Sequence, residues 1–163
     1  MSIKSEISLF FILGVFDVKW VRPIAEVLKV LGSHHVLVVH SEDGLDEISI
    51  AAPTNVAELK DGVIKEYSIS PKDFGLKTHS IENLRVDSAE ESLALAKKAL
   101  TGKHEVASQM VALTAGAALY VSGVVGDLRE GIDNSLRSIA SGKGLEKLKQ
   151  LSQLSKSLIE QKK

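Results

Sequence analysis

Apolar positions along the chain recur with a helical period first, then in short runs, and then with a helical period again. From Trp20 they fall three or four residues apart, the spacing that lines one side of an α-helix. Pro23 lies in the first turn of this segment, where a missing N–H costs nothing, and Gly32 can end the helix. The pattern predicts a helix over residues 20–31 whose buried side is formed by Trp20, Val21, Ile24, Val27, Leu28 and Leu31.

The central third has short apolar runs that are typical of strands. Residues 36–39 (VLVV) form a continuous β-branched and apolar run, which predicts a strand buried on both faces. Residues 48–50, 56–59 and 63–69 are further strand candidates. Asp61-Gly62, between the last two, is a strong hairpin signal.

From Ser88 onward the chain is helical in pattern. Residues 88–91 (SAEE) form a capping box that opens a first helix, and Gly102 can close it. A second helix, over residues 106–122, is apolar around most of its circumference and is therefore expected at the centre of the core. A third begins at residues 127–130 and ends near Gly142. A fourth has a narrow apolar stripe formed by Leu145, Leu148, Leu151, Leu154 and Leu158.

These elements predict an α/β fold: a partial sheet of short, mostly buried strands plus a hairpin, covered by a carboxyl-terminal helical layer. Residues 1–163, with 44% hydrophobic side chains, are expected to form a single α/β unit. The longest apolar run, residues 7–16, is shorter than the roughly 20 residues that cross a bilayer. We interpret it as a segment buried in protein, not as a signal peptide or a membrane anchor.

Composition excludes several kinds of function. With 20 basic and 21 acidic residues, the net charge of -1 gives no field that would attract nucleic acid or an anionic membrane, so neither is a predicted partner. The absence of cysteine excludes disulfides, thiolate catalysis and zinc-thiolate sites. It also fits a reducing compartment, and a cytoplasmic location is predicted.

An acidic segment directly after the predicted strand 36–39 is the strongest candidate for chemistry. In open α/β sheets, ligands bind beyond the carboxyl ends of the strands, and clustered like charges are relieved by a cation or by solvent. Magnesium suits such oxygen ligands, because it takes one or two carboxylates and leaves its other positions to water and phosphates. On spacing alone, a solvated acidic turn is the favoured interpretation. The four carboxylates are Glu42, Asp43, Asp46 and Glu47.

Longer motifs change that balance. This chain has GVFD at residues 14–17, then a predicted helix, and then VVHSEDGLDE at residues 38–47. Together these motifs resemble the anthranilate phosphoribosyltransferases, in which G-V-[FY]-D-P precedes a helix and then V-V-H-G-x-D-G-L-D-E. The likeness continues through residues 53–62, 70–76 and 114–123. It identifies the chain with the carboxyl-terminal half of the α/β domain in this nucleoside phosphorylase and phosphoribosyltransferase family.

The resemblance implies a function and a metal site. Such enzymes transfer the 5-phosphoribosyl group of phosphoribosyl pyrophosphate (PRPP) to anthranilate in tryptophan biosynthesis, releasing pyrophosphate. Their adjacent Asp-Glu pair binds Mg²⁺ that bridges to the pyrophosphate of PRPP, which makes Asp46 and Glu47 the implied metal ligands here. PRPP and anthranilate are the implied substrates, and the resemblance assigns no catalytic residue to this half.

The departures from the family leave two hypotheses open. The glycine-rich G-T-G-G-D loop that holds pyrophosphate, the anthranilate contacts and the amino-terminal helical domain are expected before GVFD and do not occur in this sequence. The chain is then either a portion of an enzyme that works only with a second chain carrying the missing half, or a catalytically inactive truncated product that at most associates with another chain. Within the shared half, residues replaced relative to the family are Val18, Ser41, Val86, Asp87, Ser92 and Thr114.

Two smaller groups of polar residues are further candidates for ligand binding. His34, His35 and His40 flank one strand, but neighbouring side chains point to opposite faces, so we interpret them as strand-end histidines and not as a metal cluster. Lys19 and Arg22 could contact a phosphate from the first helix. Surface solvation is the favoured role for both.

Overall fold

The computed structural model describes residues 10–160, and it has the predicted α/β class. In this part of the chain, no helix combines the length and hydrophobicity that crossing a membrane requires. The elements, in chain order, are β1 (Phe10–Gly14), a 3-10 helix (Val18–Trp20), α1 (Val21–Val30), β2 (His35–Ser41), β3 (Thr54–Lys60), β4 (Val63–Ile69), 3-10 helices at Pro71–Phe74 and Ile81–Leu84, α2 (Ala89–Ala99), α3 (Glu105–Val121), α4 (Leu128–Ala140) and α5 (Lys143–Glu160).

The four strands form one mixed sheet in the order β1-β2-β3-β4. β1 and β2 are parallel and joined through α1, whereas β2, β3 and β4 pair antiparallel. The turn between β3 and β4 has positive φ at both Asp61 (49°) and Gly62 (76°), the backbone that a tight two-residue hairpin needs. The predicted hairpin is therefore confirmed.

Strand β2 is buried on both faces, as its continuous apolar run predicted, because alternate residues point to opposite sides of the sheet. Val36 and Val38 pack on the side covered by α1, together with Val21 and Ala25. The residues between them face α3 and α4. This second and larger core includes Leu37, Val39, Ile48, Ile50, Val56, Leu113, Ala117 and Ile132.

The strand predicted over residues 48–50 is wrong. These residues are irregular in structure, although Ile48 and Ile50 are buried in the core. Their backbone groups find partners outside the strand ladders: the Ser49 N–H donates to Thr54 Oγ1 (3.1 Å), and the Ile50 carbonyl accepts from the N–H of His79, in the segment after β4 (3.0 Å). The apolar pattern thus predicted the burial of these residues correctly but not their backbone conformation.

The interpretation of residues 7–16 as a segment buried in protein is wrong for residues 10–16, whose side chains are exposed or only partly buried. Residues 7–9 lie outside the described residues, and residues 10–14 form β1 at one edge of the sheet with partly exposed side chains. Phe16, beyond the strand, is 76% exposed. The reason is that β1 pairs on one side with β2, and within residues 10–160 no strand pairs with its other side.

Helix α1 buries a narrower face than its apolar spacing predicted. Val21 and Ala25 are buried against the sheet, but Trp20 lies in the preceding 3-10 helix, and Val27 and Leu31 are exposed. A helix that crosses a sheet touches it along one line, so apolar residues beyond that line stay in solvent. By contrast, α3 lies at the centre of the helical layer, as predicted, with eight buried residues.

A buried carboxylate joins three strands to α3. Glu58 of β3 is only 8% exposed and accepts hydrogen bonds from the hydroxyls of Tyr120 (2.7 Å) and Tyr67 (3.0 Å). Its third partner is His35 of β2, whose Nε2 lies 2.8 Å from Glu58 Oε1. Burial opposes ionisation, but these hydrogen bonds outweigh it and hold the pKa of Glu58 below its usual 4.5. Burial and the neighbouring carboxylate raise the pKa of both phenols.

We expect Glu58→Gln to lower the free energy of unfolding at pH 7 by about 2 kcal/mol, because it removes a charged acceptor from buried donors. Because the pKa of Glu58 is lower in the folded protein than its usual 4.5, the ionised carboxyl stabilises the fold at any pH above 4.5. This stabilisation is lost as the pH falls from 4.5 through the pKa of the folded protein. The difference in free energy of unfolding between wild type and variant, measured by urea unfolding, should therefore shrink below pH 4.5. Glu66→Gln, which removes an exposed carboxylate paired with Arg22, is the control and should change stability little. If this free-energy difference stays constant with pH, Glu58 is not ionised in the folded protein and the prediction is wrong.

Candidate functional site

The acidic segment forms a tight turn at the carboxyl end of β2. The Ser41 carbonyl accepts from the Gly44 N–H (2.9 Å), and the Ser41 N–H donates to the Leu45 carbonyl (2.9 Å), which closes the turn. Gly44 has φ +91°, a conformation that other residues rarely adopt. The turn therefore has a defined shape at the strand end where the sequence predicted a ligand site.

Asp43 is directed into this turn. Its Oδ2 accepts from the Ser49 hydroxyl (2.5 Å) and its Oδ1 from the Leu45 N–H (3.2 Å). Partial burial opposes ionisation, but the hydrogen bonds from the Ser49 hydroxyl and the Leu45 backbone prevail and hold the pKa of the Asp43 carboxyl below its usual 3.8. Asp43 therefore organises the turn, and its oxygens are already used as acceptors.

Ser41, which stands where the family has glycine, fits the turn without distortion. Its side chain is fully buried, and its hydroxyl donates to the Pro53 carbonyl (3.2 Å). Its φ is not in the left-handed region, so glycine is not required there. This departure from the family motif leaves the acidic turn intact.

Asp46 is positioned through its backbone by the end of β1. The Asp46 carbonyl lies so close to Gly14 that a Cβ on that glycine would overlap the carbonyl oxygen. One residue further on, the Val15 carbonyl accepts from His40 Nδ1 (2.8 Å), so the imidazole proton is on that nitrogen. The GVFD and VVHSEDGLDE motifs, which α1 separates in the chain, thus meet at the carboxyl ends of β1 and β2.

Glu47 is positioned through its side chain by α3. The Thr114 hydroxyl donates to Glu47 Oε2 (3.1 Å), and both residues lie at the surface. Asp46 is also exposed, so the adjacent carboxylates face solvent next to the ends of β1 and β2. Thr114 replaces a family asparagine, and here it supplies a hydrogen-bond donor to the predicted metal ligand.

The other sequence candidates contact residues outside the acidic turn. His34 stacks on Phe10 with ring centroids 6.1 Å apart, and His35 belongs to the Glu58 cluster. Arg22 forms ion pairs with Glu26 (2.9 Å) and Glu66 (2.5 Å). The other candidate cation, Lys19, pairs with Asp17 at 2.9 Å, so both cations already contact carboxylates.

The donor set at the acidic turn fits one kind of metal better than others. Among residues 10–160, no group of three or more histidine, aspartate or glutamate side chains is arranged to hold a metal ion. A pair of exposed carboxylates is too few for zinc or calcium, whose sites take more protein ligands. It fits magnesium, which uses one or two carboxylates and completes its shell with water and phosphates.

Sequence reasoning missed three contacts that shape the site. The close approach of Gly14 to Asp46, the inward hydrogen bonds of Asp43 and the bond from Thr114 to Glu47 all join parts of the chain that touch only after folding. Gly14 belongs to the GVFD motif, Asp43 to the acidic segment, and Thr114 to the positions that differ from the family pattern. None of these patterns shows which residue is contacted.

The chain belongs to the glycosyl transferase family, whose a/b-domain model matches residues 8–145. It is 58% identical to the anthranilate phosphoribosyltransferase of Marinomonas sp. (strain MWYL1) over 142 residues, which are 86% of this chain and 41% of that relative. The resemblance predicted from the motifs is confirmed.

Solved structures show the same fold. The crystal structure of anthranilate phosphoribosyltransferase from Thermus thermophilus matches with a TM-score of 0.76 and 36% identity, over 84% of this chain and 40% of that one. The Saccharomyces cerevisiae enzyme in complex with PRPP and Mg matches with a TM-score of 0.74 and 25% identity, over 85% and 40%. The chain thus spans about two fifths of the length of the relatives it matches.

We expect Gly14→Ala to lower the free energy of unfolding by about 2 kcal/mol or more, because the added methyl must displace either β1 or the acidic turn. Urea unfolding measures the loss. Gly126→Ala is the matched control, because a Cβ there meets only the Glu130 carboxylate at 3.7 Å and the backbone has no positive φ. Equal stability of the two variants would show that the turn and β1 can separate without cost.

Proposed function

We propose that this chain supplies the magnesium-binding part of an anthranilate phosphoribosyltransferase, which transfers the 5-phosphoribosyl group of PRPP to the amine of anthranilate. The observation that carries the proposal is the exposed Asp46-Glu47 pair, fixed from two sides by Gly14 and Thr114. Identity to relatives with this activity and the Mg and PRPP bound to the yeast enzyme support the assignment.

In this proposal, Asp46 and Glu47 hold Mg²⁺ through their carboxylates. When bound with PRPP, the ion stabilises the negative charge that grows on pyrophosphate as the C1–O bond breaks. The rest of the chain positions this pair: Asp43 shapes the turn, Thr114 orients the Glu47 carboxylate, and Gly14 permits the approach of β1. These residues place the ligands and do not contact the reacting atoms.

The proposed enzyme also needs the part of its relatives that this chain does not match. In the family, a glycine-rich loop holds the pyrophosphate and upstream residues contact anthranilate. We propose that residues 1–163 correspond to the carboxyl-terminal part of the relatives' large domain and function with an upstream part, in the same polypeptide or in a second one.

The edge of β1 is a suitable place for that upstream part to join the sheet. Residues 10–14 (FFILG) carry no charge or proline, the devices that keep exposed strand edges from pairing. Within the described part of the chain, only β2 pairs with this strand. A strand from the upstream part could extend the sheet there and bring the pyrophosphate-holding loop opposite Asp46 and Glu47.

Co-expression of this chain with the upstream part of the Marinomonas relative should restore growth without tryptophan to cells that lack anthranilate phosphoribosyltransferase. Residues 1–163 expressed alone should fail, because they contain no glycine-rich G-T-G-G-D run to hold the donor. In the purified pair, consumption of anthranilate can be followed by the loss of its fluorescence. Asp46→Asn together with Glu47→Gln should lower the rate at least a hundredfold, since about 2.7 kcal/mol of stabilisation of the leaving charge is lost.

Glu42→Gln is the matched control for this experiment. It neutralises an exposed carboxylate on the same turn that the proposal does not use, so the rate should change little. A pair that forms a stable complex without turnover would support the alternative of an inactive product that only associates with another chain. Equal rates for the control and the Asp46-Glu47 variant would refute the metal assignment.

The isolated chain should bind PRPP in the presence of Mg²⁺ no more tightly than the millimolar range. Two carboxylates can hold the ion, but they repel the pyrophosphate unless backbone amides or cations face it from the other side. Isothermal titration of PRPP into the chain at saturating magnesium measures the affinity. Micromolar binding would show that this part of the enzyme holds the donor unaided.

A further inference from the structure

The hairpin turn between β3 and β4 contains the only residue other than glycine that has a positive φ in the described part of the chain. Asp61 has φ 49°, and Gly62 after it has φ 76°. Residues with a side chain rarely adopt this left-handed conformation, because their Cβ comes too close to the following carbonyl oxygen. Asp61 is therefore a strained position, and it is followed by a residue without a side chain.

An aspartate that precedes glycine can react with its own backbone. The amide nitrogen of the glycine attacks Cγ of the neutral carboxyl group, so that the N–Cγ bond forms, the Cγ–OH bond breaks and water leaves. Water then opens the resulting cyclic imide at one of its two carbonyl carbons. Opening at the backbone carbonyl leaves isoaspartate, in which the chain runs through the former side chain. Water lost in the first step is regained in the second, so no other reactant is needed.

The sequence has two such dipeptides, Asp43-Gly44 and Asp61-Gly62. In both, the glycine has no Cβ that would hinder attack by its nitrogen. The dipeptide alone therefore does not distinguish the two positions. The folded structure does, because it places the reacting groups of the two dipeptides in different surroundings.

Both reacting groups are occupied at Asp43-Gly44. The Asp43 carboxylate accepts from the Ser49 hydroxyl (2.5 Å) and from the Leu45 N–H (3.2 Å), and the Gly44 N–H donates to the Ser41 carbonyl (2.9 Å). Partial burial opposes ionisation, but the hydrogen bonds keep the pKa of this carboxyl below its usual value. An ionised carboxylate is a poor target for a nucleophile. The fold thus protects this dipeptide from isomerisation.

Neither reacting group is held in this way at Asp61-Gly62. Both residues are exposed. The one hydrogen bond that this turn makes outside the strand ladder, among residues 10–160, joins the Asp61 N–H to the His34 carbonyl (3.1 Å). The Asp61 carboxylate and the Gly62 N–H therefore have no partner in the described part of the chain that would keep them apart.

Isomerisation would also relieve the strain at Asp61. Isoaspartate adds a methylene group to the backbone, so the turn would no longer have to hold an L-residue at positive φ. The longer turn would disturb the pairing of Lys60 with Val63, which is joined by only two residues. Asp43 is not at positive φ, so its dipeptide gains no such relief.

We propose that Asp61-Gly62 is the isomerisation site of this chain, and that isoaspartate accumulates there while Asp43-Gly44 stays intact. Both reacting groups belong to the hairpin turn itself. The reaction therefore needs no contact with a second chain or with the unmatched part of the relatives. The inference does not depend on the proposed enzymatic function.

Incubation of the purified chain at neutral pH and physiological temperature tests the proposal. After digestion, chromatography and electron-transfer fragmentation distinguish peptides with isoaspartate from those with aspartate at each position. Isoaspartate should accumulate at position 61 at least tenfold faster than at position 43. If position 43 isomerises as fast as position 61, or if neither isomerises in the folded chain, the proposal is wrong.

The chain unfolded in urea is the matched control for this experiment. Unfolding removes the hydrogen bonds at Asp43 and the positive φ at Asp61, so the two positions should then isomerise at similar rates. A tenfold preference for position 61 that persists in urea would show that neighbouring residues cause it. The fold would then have no part in the selection, and the proposal would be overturned.

The variant Asp61→Asn tests the attack by the Gly62 nitrogen directly. Asn-Gly suits the same two-residue turn, so the variant should fold, and circular dichroism checks this. Its amide is not ionised at neutral pH and forms the same imide with loss of ammonia. Conversion at position 61 should therefore be at least tenfold faster than in the unsubstituted chain. A folded variant that stays unconverted would show that the turn keeps this nitrogen away from Cγ, which would refute the proposal.

Discussion

The close contact between the end of β1 and the acidic turn after β2 is the constraint on which the candidate site depends. Parallel pairing through α1 brings the carboxyl ends of both strands to one edge, and Gly14 lets the Asp46 backbone approach where no side chain would fit. His40 reinforces the contact by donating to the Val15 carbonyl. Placement of the Asp46-Glu47 pair is therefore a property of the strand-helix-strand unit and not of the turn alone.

Repulsion between the carboxylates of the acidic turn is limited because three of these residues make contacts with different parts of the protein. Asp43 accepts hydrogen bonds within the turn, Asp46 is located by its backbone, and Glu47 is tied to Thr114 of α3. The sequence alone does not show that these acidic residues have different contacts. The replacement of glycine by Ser41 is accommodated because its hydroxyl finds the Pro53 carbonyl.

Local patterns predicted those features that local interactions determine. The hairpin at Asp61-Gly62, the doubly buried β2 and the central α3 follow from turn conformation and from the spacing of apolar residues. Residues 48–50 and the outer side of α1 were predicted wrongly, because an apolar residue shows a tendency to be buried but not which element covers it. The Glu58 cluster and the bond from Thr114 to Glu47 join residues far apart in the chain, beyond the reach of periodicity.

Two side chains of helix α3 form hydrogen bonds with residues of the sheet and of the turn that follows β2. Thr114 bonds to Glu47 beyond one end of β2, and Tyr120 bonds to Glu58 near the other. The two residues are six positions apart in the chain, which is about 9 Å along the helix axis. A deletion or insertion between them would turn one side chain by about 100° relative to the other, so both bonds could not persist. The length of this stretch is thus expected to stay fixed while the protein diverges, even where surface loops gain or lose residues.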